Sequence, residues 1–142
     1  MIFGRNKRRI RRILLVEDEP LVAFDNEHQL MDAGYEVVAT VDNLDAAREV
    51  IEKGELDLVL TDIRLNGDGD GKDVAEIAQR HGIPVLFVTG LSEEARSGLG
   101  LGYLAKPYSD KVLRGALDAL DRHLQGKKLK KLPPQLTLFE TA

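Results

Sequence analysis

The chain has no cysteine and no tryptophan, and four phenylalanines and three tyrosines are its only aromatic residues. The lack of cysteine excludes disulfides, thiolate metal sites and a cysteine nucleophile. No apolar run approaches the ~20 residues that span a bilayer, and the short run Ile13 to Val16 cannot form a signal-peptide core. We therefore expect a cytoplasmic protein without a membrane span, whose 142 residues form one domain with an aliphatic core.

Positive charge is scarce in the middle of the chain, where residues 13–125 hold 23 acidic and 10 basic residues. Six bases and no acid lie in the first twelve residues, and four lysines follow residue 126. An acidic body argues against direct DNA binding through the folded surface. The basic ends are interpreted as solvated tails, although contact with RNA, lipid or an acidic partner stays open.

Strand-like and helix-like runs alternate along the sequence, which is typical of an α/β fold with a parallel sheet. The predicted strands are Arg12–Glu17, Tyr35–Val41, Leu56–Thr61, Ile83–Val88 and Gly100–Leu104. The predicted helices are Leu21–Ala33, Asn43–Lys53, Lys72–Arg80 and Asp110–Leu124, the last with Ser109 as its N-cap. Between the last two strands, only Leu91–Ser97 could form a helix, so the fourth helix should be short or irregular.

Polar residues follow four of these strands. Glu17 and Asp18 close the first strand, Asp62 the third and Thr89 the fourth, while Lys106 follows the fifth. In an open α/β sheet, ligands bind outside the carboxyl ends of the strands, so these groups should meet at one edge. The carboxylates suit Mg²⁺ or Mn²⁺. Asp62 could then attack phosphorus as a nucleophile, with the ammonium and hydroxyl groups contacting phosphoryl oxygens.

Four ordered motifs carry a resemblance to a known family: Val-Glu-Asp-Glu-Pro (16–20), Leu-Thr-Asp-Ile-Arg-Leu (60–65), Val-Thr-Gly (88–90) and Tyr-Leu-Ala-Lys-Pro-Tyr (103–108). Together they resemble the response regulator receiver domains of two-component signalling, over about residues 12–125. The resemblance implies that Asp62 is phosphorylated and that the metal is held by Asp18, Asp62, the Arg64 backbone carbonyl and, through water, Glu17. It also implies that Thr89 and Lys106 contact the phosphoryl group and that Thr89 and Tyr103 form a switch pair. The peptide bond before Pro107 is expected to be cis.

Two stretches distinguish this chain within the family. The loop Asn66-Gly-Asp-Gly-Asp-Gly lacks a proline that many members carry there. The stretch beginning at Pro84 is similar to the Pro-Phe-x-Phe-Ala-Thr-Gly motif of an alphaproteobacterial subgroup of single-domain regulators, and it departs from that motif at Val85 and Val88. The subgroup implies a reduced fourth helix and pairing with HWE-type or related histidine kinases.

The resemblance implies a flavodoxin-like fold with five parallel strands in the order 2-1-3-4-5 and helices on both faces. We expect a basic N-terminal arm (1–11), a receiver domain (12–125) and a C-terminal tail (126–142) too short for a DNA-binding module. The expected function is not that of an enzyme. It is phosphoryl receipt from a sensor histidine kinase, followed by contact with an unnamed downstream protein or by service as a phosphate sink. Homodimerisation stays open.

Two rival functions remain. One is a phosphatase with an aspartate nucleophile, although phosphatases of that kind place an Asp-x-Asp pair after the first strand, where this chain has Glu17-Asp18-Glu19. The other is a pseudo-receiver that binds partners without phosphorylation, which the presence of Asp18, Asp62, Thr89 and Lys106 disfavours.

Overall fold

A computed structural model of the chain describes residues 8–90, 99–129 and 131–139. Its strands are β1 (Arg12–Val16), β2 (Glu36–Val41), β3 (Leu58–Thr61), β4 (Val85–Thr89), β5 (Gly102–Ala105) and β6 (Leu136–Leu138). Its helices are α1 (Pro20–Asp32), α2 (Leu44–Glu52), α3 (Gly71–Arg80) and α4 (Asp110–Leu124). Within these ranges, no helix combines the length and apolarity needed to cross a membrane. The predicted helix Leu91–Ser97 lies outside the described residues.

One six-stranded sheet in the order β2-β1-β3-β4-β5-β6 organises the molecule. The first five strands pair in parallel, which confirms the flavodoxin-like fold and the predicted strand order. The prediction of five strands missed β6, which pairs with β5 in the antiparallel direction. Only three residues form this strand, so periodicity gave no signal for it.

The apolar strands are buried because helices cover both faces of the sheet. Side chains alternate along β1, so Ile13 and Leu15 join one core cluster while Leu14 and Val16 join the other. The first cluster contains residues of α1 and α4, and the second contains residues of α2 and α3. This sandwich leaves the carboxyl ends of the strands and their loops to form a site.

Side-chain caps fix where α3 and α4 begin beside that edge of the sheet. The hydroxyl of Ser109 accepts the Val112 N–H at 3.2 Å, which confirms its predicted role as the N-cap of α4. At α3, the Asp70 carboxylate accepts the Asp73 N–H, and the Asp73 carboxylate accepts the Asp70 N–H in return. This reciprocal capping box holds the first turn of α3 against the loop that follows β3.

Candidate functional site at the carboxyl ends of the strands

The central pair of strands, β1 and β3, brings the acidic residues together. The register places Val16 opposite Thr61, so Glu17 and Asp62 leave the sheet side by side. The Asp62 N–H continues the ladder by donating to the Val16 carbonyl at 2.9 Å. From β1 the sheet extends to β2 on one side and to β3 on the other, so the direction of strand addition reverses between β1 and β3. Ligand crevices form where the strand order reverses in this way.

Three carboxylates meet in this crevice. Glu17, Asp18 and Asp62 each offer an oxygen atom, and these oxygens all lie within 4.8 Å of one another. Glu17 and Asp62 are only 4% and 8% exposed, so little water screens their charges from each other. A cluster of oxygen ligands alone is what Mg²⁺ and Mn²⁺ prefer, and the residues present therefore fit the implied cation.

A single ammonium group joins two of the carboxylates. The Lys106 Nζ donates to Glu17 Oε1 and to Asp62 Oδ2, both at 2.8 Å. Burial lowers the pKa of Lys106, but the hydrogen bonds to Asp62 and Glu17 outweigh it, so this pKa lies above its ordinary value. Burial raises the pKa of Glu17, and the hydrogen bond from Lys106 opposes that rise. Lys106 therefore remains a cation at neutral pH and offsets part of the carboxylate charge.

Asp62 is held in one orientation by backbone as well as by Lys106. Its Oδ1 accepts the Ile63 N–H at 2.7 Å, and its backbone carbonyl accepts the Thr61 hydroxyl at 2.8 Å. Hydrogen bonds to a carboxylate from two directions fix its plane before any reaction takes place. The Asp62 side chain is thus held in a fixed position in the crevice.

The other predicted site residues lie on β4, on β5 and in the loops that follow β3 and β5. Thr89 ends β4 and is 1% exposed, and its carbonyl accepts the Lys106 N–H at 3.1 Å. Tyr103 on the adjacent β5 is 7% exposed, and its ring centroid lies 6.1 Å from that of Phe139. The peptide bond from Lys106 to Pro107 is cis. Arg64 lies in the exposed loop after Asp62, and the role of its carbonyl stays a prediction.

The sequence interpretation missed Gly71, which supports Asp62 from behind. Its N–H donates to the Ile63 carbonyl at 2.6 Å. A Cβ atom at this position would lie 2.8 Å from both the carbonyl carbon of Asp62 and the Cα of Ile63, closer than packed atoms approach. This close approach requires glycine at position 71. The sequence pattern does not distinguish Gly71 from the other glycines of the loop.

A buried polar pair beside the site was also missed. The Asn26 side-chain amide donates to the Tyr108 hydroxyl at 2.9 Å, and Asn26 is only 4% exposed. Burial raises the pKa of Tyr108 to about 12, although the hydrogen bond from Asn26 lowers it. The pair ties α1 to the loop that carries Lys106. An asparagine within an amphipathic helix is usually exposed, so the sequence gave no signal for this bond.

Comparison with known proteins agrees with the fold. Residues 13–118 match the model of the response regulator receiver domain. The chain therefore belongs to the response regulator receiver domain family, whose members are signalling modules of two-component systems.

Individual relatives place it within that family. It is 35% identical over 114 residues to the transcriptional regulatory protein PdtaR of Mycobacterium tuberculosis, covering 76% of this chain and 55% of the relative, so it spans about half the length of that protein. SdrG of Sphingomonas melonis is 32% identical, with a TM-score of 0.66 and coverage of 79% of this chain and 97% of SdrG. The response regulator PhyR of Brucella abortus is 30% identical, with a TM-score of 0.69 and coverage of 87% and 52%.

Proposed function

We propose that this protein accepts a phosphoryl group on Asp62 from a sensor histidine kinase, in a reaction that depends on Mg²⁺ or Mn²⁺. The observation that carries the proposal is the shared ammonium of Lys106, 2.8 Å from both Glu17 and Asp62, beside a third carboxylate from Asp18. The cluster combines a nucleophile, oxygen ligands and a cation, which are the groups that phosphoryl transfer uses.

The proposed reaction moves one phosphoryl group between two side chains. A carboxylate oxygen of Asp62 forms the new P–O bond while the P–N bond of a phosphohistidine breaks, and the imidazole departs with the bonding electrons. Asp18, Asp62, the Arg64 carbonyl and, through water, Glu17 would hold the cation, which when bound would neutralise charge on the phosphoryl oxygens. Lys106 shifts its hydrogen bond from the Asp62 carboxylate to a phosphoryl oxygen, and the Thr89 hydroxyl contacts another.

Phosphorylation with a small acyl phosphate tests this function directly. In Mg²⁺ and acetyl phosphate, intact-mass spectrometry should show one added phosphoryl group per chain, and hydroxylamine should remove it, as expected for an aspartyl phosphate. Rapid release of many phosphates per chain would instead favour the aspartate-nucleophile phosphatase. No added mass with either acetyl phosphate or a panel of histidine kinases would favour the pseudo-receiver.

The metal ligands should differ in their effects on cation affinity. We expect Asp18→Asn to weaken Mg²⁺ binding about tenfold or more, because one of few direct oxygen ligands is lost. Glu17→Gln should have a smaller effect, because the proposed contact of Glu17 passes through water. Titration calorimetry measures both, since the chain has no tryptophan to report binding by fluorescence.

Asp45→Asn is the matched control, because it removes the same charge from a side chain that is 89% exposed on α2. This control should bind Mg²⁺ like the wild type. Equal losses of affinity in Asp18→Asn and Glu17→Gln would contradict the assignment of direct and water-mediated ligands.

We also propose that phosphorylation is read through Thr89 and Tyr103 as a switch pair. Attraction of the Thr89 hydroxyl to the phosphoryl group would change the space open to the Tyr103 ring on the neighbouring strand. Phosphorylation then acts through its preference for one of two states. The output is contact with a downstream protein in the cytoplasm, or the domain drains phosphate from a shared kinase. We infer an HWE-type kinase as the phosphoryl donor, because residues Pro84–Gly90 are similar to the motif of the subgroup that pairs with such kinases.

The kinase must dock beside the site, because its phosphohistidine has to reach Asp62. Helix α1 begins at Pro20, directly after the acidic residues, and it exposes an apolar surface. Leu21 is 84% exposed and Phe24 is 62% exposed, and the centroid of the Phe24 ring lies 4.2 Å from that of the tilted His28 ring. Leu21 and Phe24 are three residues apart and lie on the same face of the helix, and contiguous exposed apolar surface is where protein contacts form. We therefore assign the start of α1 to kinase binding.

Alanine at both Leu21 and Phe24 should slow phosphotransfer from the kinase by about tenfold or more, as expected for anchor residues of an interface. Phosphorylation by acetyl phosphate should be unchanged, because neither side chain belongs to the site. Met31→Ala is the control: Met31 is 56% exposed but lies about 15 Å further along the helix from Leu21. A loss with acetyl phosphate, or an equal loss in Met31→Ala, would refute the docking assignment.

A further inference from the structure

The loop between β5 and α4, residues 106–109, carries Lys106 into the candidate site and is here called the lysine loop. Its first residue is anchored through backbone, because the Lys106 N–H donates to the Thr89 carbonyl at 3.1 Å. Its last residue, Ser109, is anchored as the N-cap of α4 by accepting the Val112 N–H at 3.2 Å. The two residues between these anchors need a further contact if the loop is to keep one conformation.

That contact comes from α1, through the buried hydrogen bond between Asn26 and Tyr108. The Asn26 amide is 4% exposed and donates to the Tyr108 hydroxyl at 2.9 Å. The Tyr108 ring packs against the core cluster that contains residues of α1 and α4. A hydrogen bond fixes both a distance and a direction, whereas apolar packing has no preferred direction. The bond therefore determines where the Tyr108 ring lies relative to α1.

The lysine loop is joined to the same part of the chain at a second point. The Lys106 Nζ donates to Glu17 Oε1 at 2.8 Å, and Glu17 lies three residues before the first residue of α1. Only Pro107 separates Lys106 from Tyr108, and the proline ring restricts φ at that residue. A displacement of Tyr108 should consequently be passed on to Lys106 in large part.

Placement matters for Lys106 because its side chain is long and flexible. Holding its ammonium group 2.8 Å from both Glu17 Oε1 and Asp62 Oδ2 restricts several rotatable bonds, which costs conformational entropy. A backbone that moves adds to this cost. Misplacement of a reacting group by about 1 Å can lower a rate by up to about 100-fold.

We propose that Asn26 and Tyr108 are positioning residues for phosphoryl transfer, because their hydrogen bond holds the lysine loop where the Lys106 ammonium reaches the acceptor carboxylate. Both residues act through Lys106 rather than on the phosphoryl group. This inference rests on the proposed function, which assigns the contact with a phosphoryl oxygen to Lys106. Helix α1 then contributes to the reaction from its buried face as well as binding the kinase through its exposed face.

The first measurement observes Lys106 directly and needs no phosphorylation. In metal-free protein with isotope-labelled lysine, NMR should show slow exchange of the Lys106 ammonium protons with water, because they are donated to two carboxylates. The variant Lys106→Met assigns the signal. Tyr108→Phe should speed this exchange about threefold or more and should slow phosphorylation by acetyl phosphate by a similar factor, because the loop loses its hydrogen bond to α1.

Tyr35→Phe is the matched control, because it removes the same hydroxyl group from another buried tyrosine. Tyr35 is 5% exposed, belongs to the same core cluster and directly precedes β2, at the end of the sheet opposite the site. This variant should keep the wild-type rates of Lys106 proton exchange and of phosphorylation.

Combining Asn26→Leu with Tyr108→Phe separates positioning from stability. The double variant leaves neither polar partner unpaired in the core, so urea unfolding should show most of the stability lost in Tyr108→Phe restored. Exchange at Lys106 should nevertheless stay about threefold or more faster than in the wild type, because the new contact is apolar. Should Tyr108→Phe fail to fold, the double variant supplies the exchange rate.

Wild-type exchange at Lys106 in Tyr108→Phe or in the double variant overturns the proposal, and so does an equal change in Tyr35→Phe. The two levels of the argument fail separately. A wild-type protein that takes up no phosphoryl group refutes the proposed function, while the exchange rates still decide whether Asn26 and Tyr108 position Lys106.

Discussion

Asp62→Asn should take up no phosphoryl group from either a histidine kinase or acetyl phosphate. The amide lacks the anionic oxygen that attacks phosphorus in the proposed reaction. The substitution is nearly isosteric, and the amide oxygen can still accept the Ile63 N–H that Asp62 Oδ1 accepts at 2.7 Å. The loss should therefore be complete, while the fold is retained.

Intact-mass spectrometry after incubation with Mg²⁺ and acetyl phosphate measures this effect. Asp68→Asn is the control, because it removes the same charge from a residue that is exposed in the loop after β3. It should be phosphorylated to the wild-type level. One phosphoryl group per chain in Asp62→Asn, still removable by hydroxylamine, would move the acceptor to another carboxylate and refute the proposed role of Asp62.

Gly71→Ala should lower the free energy of unfolding by about 3 kcal/mol, a large effect for a single methyl group. The added Cβ would approach backbone atoms of Asp62 and Ile63, at 2.8 Å from the carbonyl carbon and the Cα respectively. Backbone cannot rotate away as a flexible side chain can, so either α3 or the loop carrying Asp62 must move. We therefore expect slower phosphorylation in the same variant.

Urea unfolding followed by circular dichroism gives the free energy directly. Gly115→Ala is the comparison, because Gly115 lies within α4 and the nearest atom to an added Cβ is the Pro133 Cγ at 3.4 Å, an ordinary contact. Alanine favours a helix over glycine, so this variant should be as stable as the wild type or up to about 1 kcal/mol more stable. A Gly71→Ala protein of wild-type stability would contradict this prediction and show that the loop carrying Asp62 moves aside at little cost in free energy.

The features that the sequence predicted correctly are those determined by local pattern. Continuous apolar runs such as Ile13 to Val16 require burial on both faces, and that requirement implies a parallel sheet covered by helices. Because parallel strands end at one edge, acids that follow separate runs are brought together without knowledge of their contacts. Glu17, Asp18, Asp62 and Lys106 were placed in one cluster in this way, and the structure brings them together.

The features that the sequence missed depend on tertiary contact. The third strand begins at Leu58 rather than at Leu56, because the Asp57 carboxylate accepts the backbone N–H groups of Arg11 and Arg12 at 2.9 Å. Similarly, the bond between Asn26 and Tyr108 joins residues 82 positions apart. The strand β6 exists only because β5 offers an edge, so its three residues carry no independent signal.

The position of β6 also sets an order of events during synthesis. A ribosome completes α4 before it adds the eleven residues that precede β6, and at the usual rate of elongation that interval lasts roughly a second. Because the chain leaves the ribosome in order, β5 emerges before β6, and the outer edge of β5 stays unpaired until β6 reaches it. An unpaired strand edge is a template for pairing with other chains, so the arrival of β6 protects the newly folded domain from association through this edge.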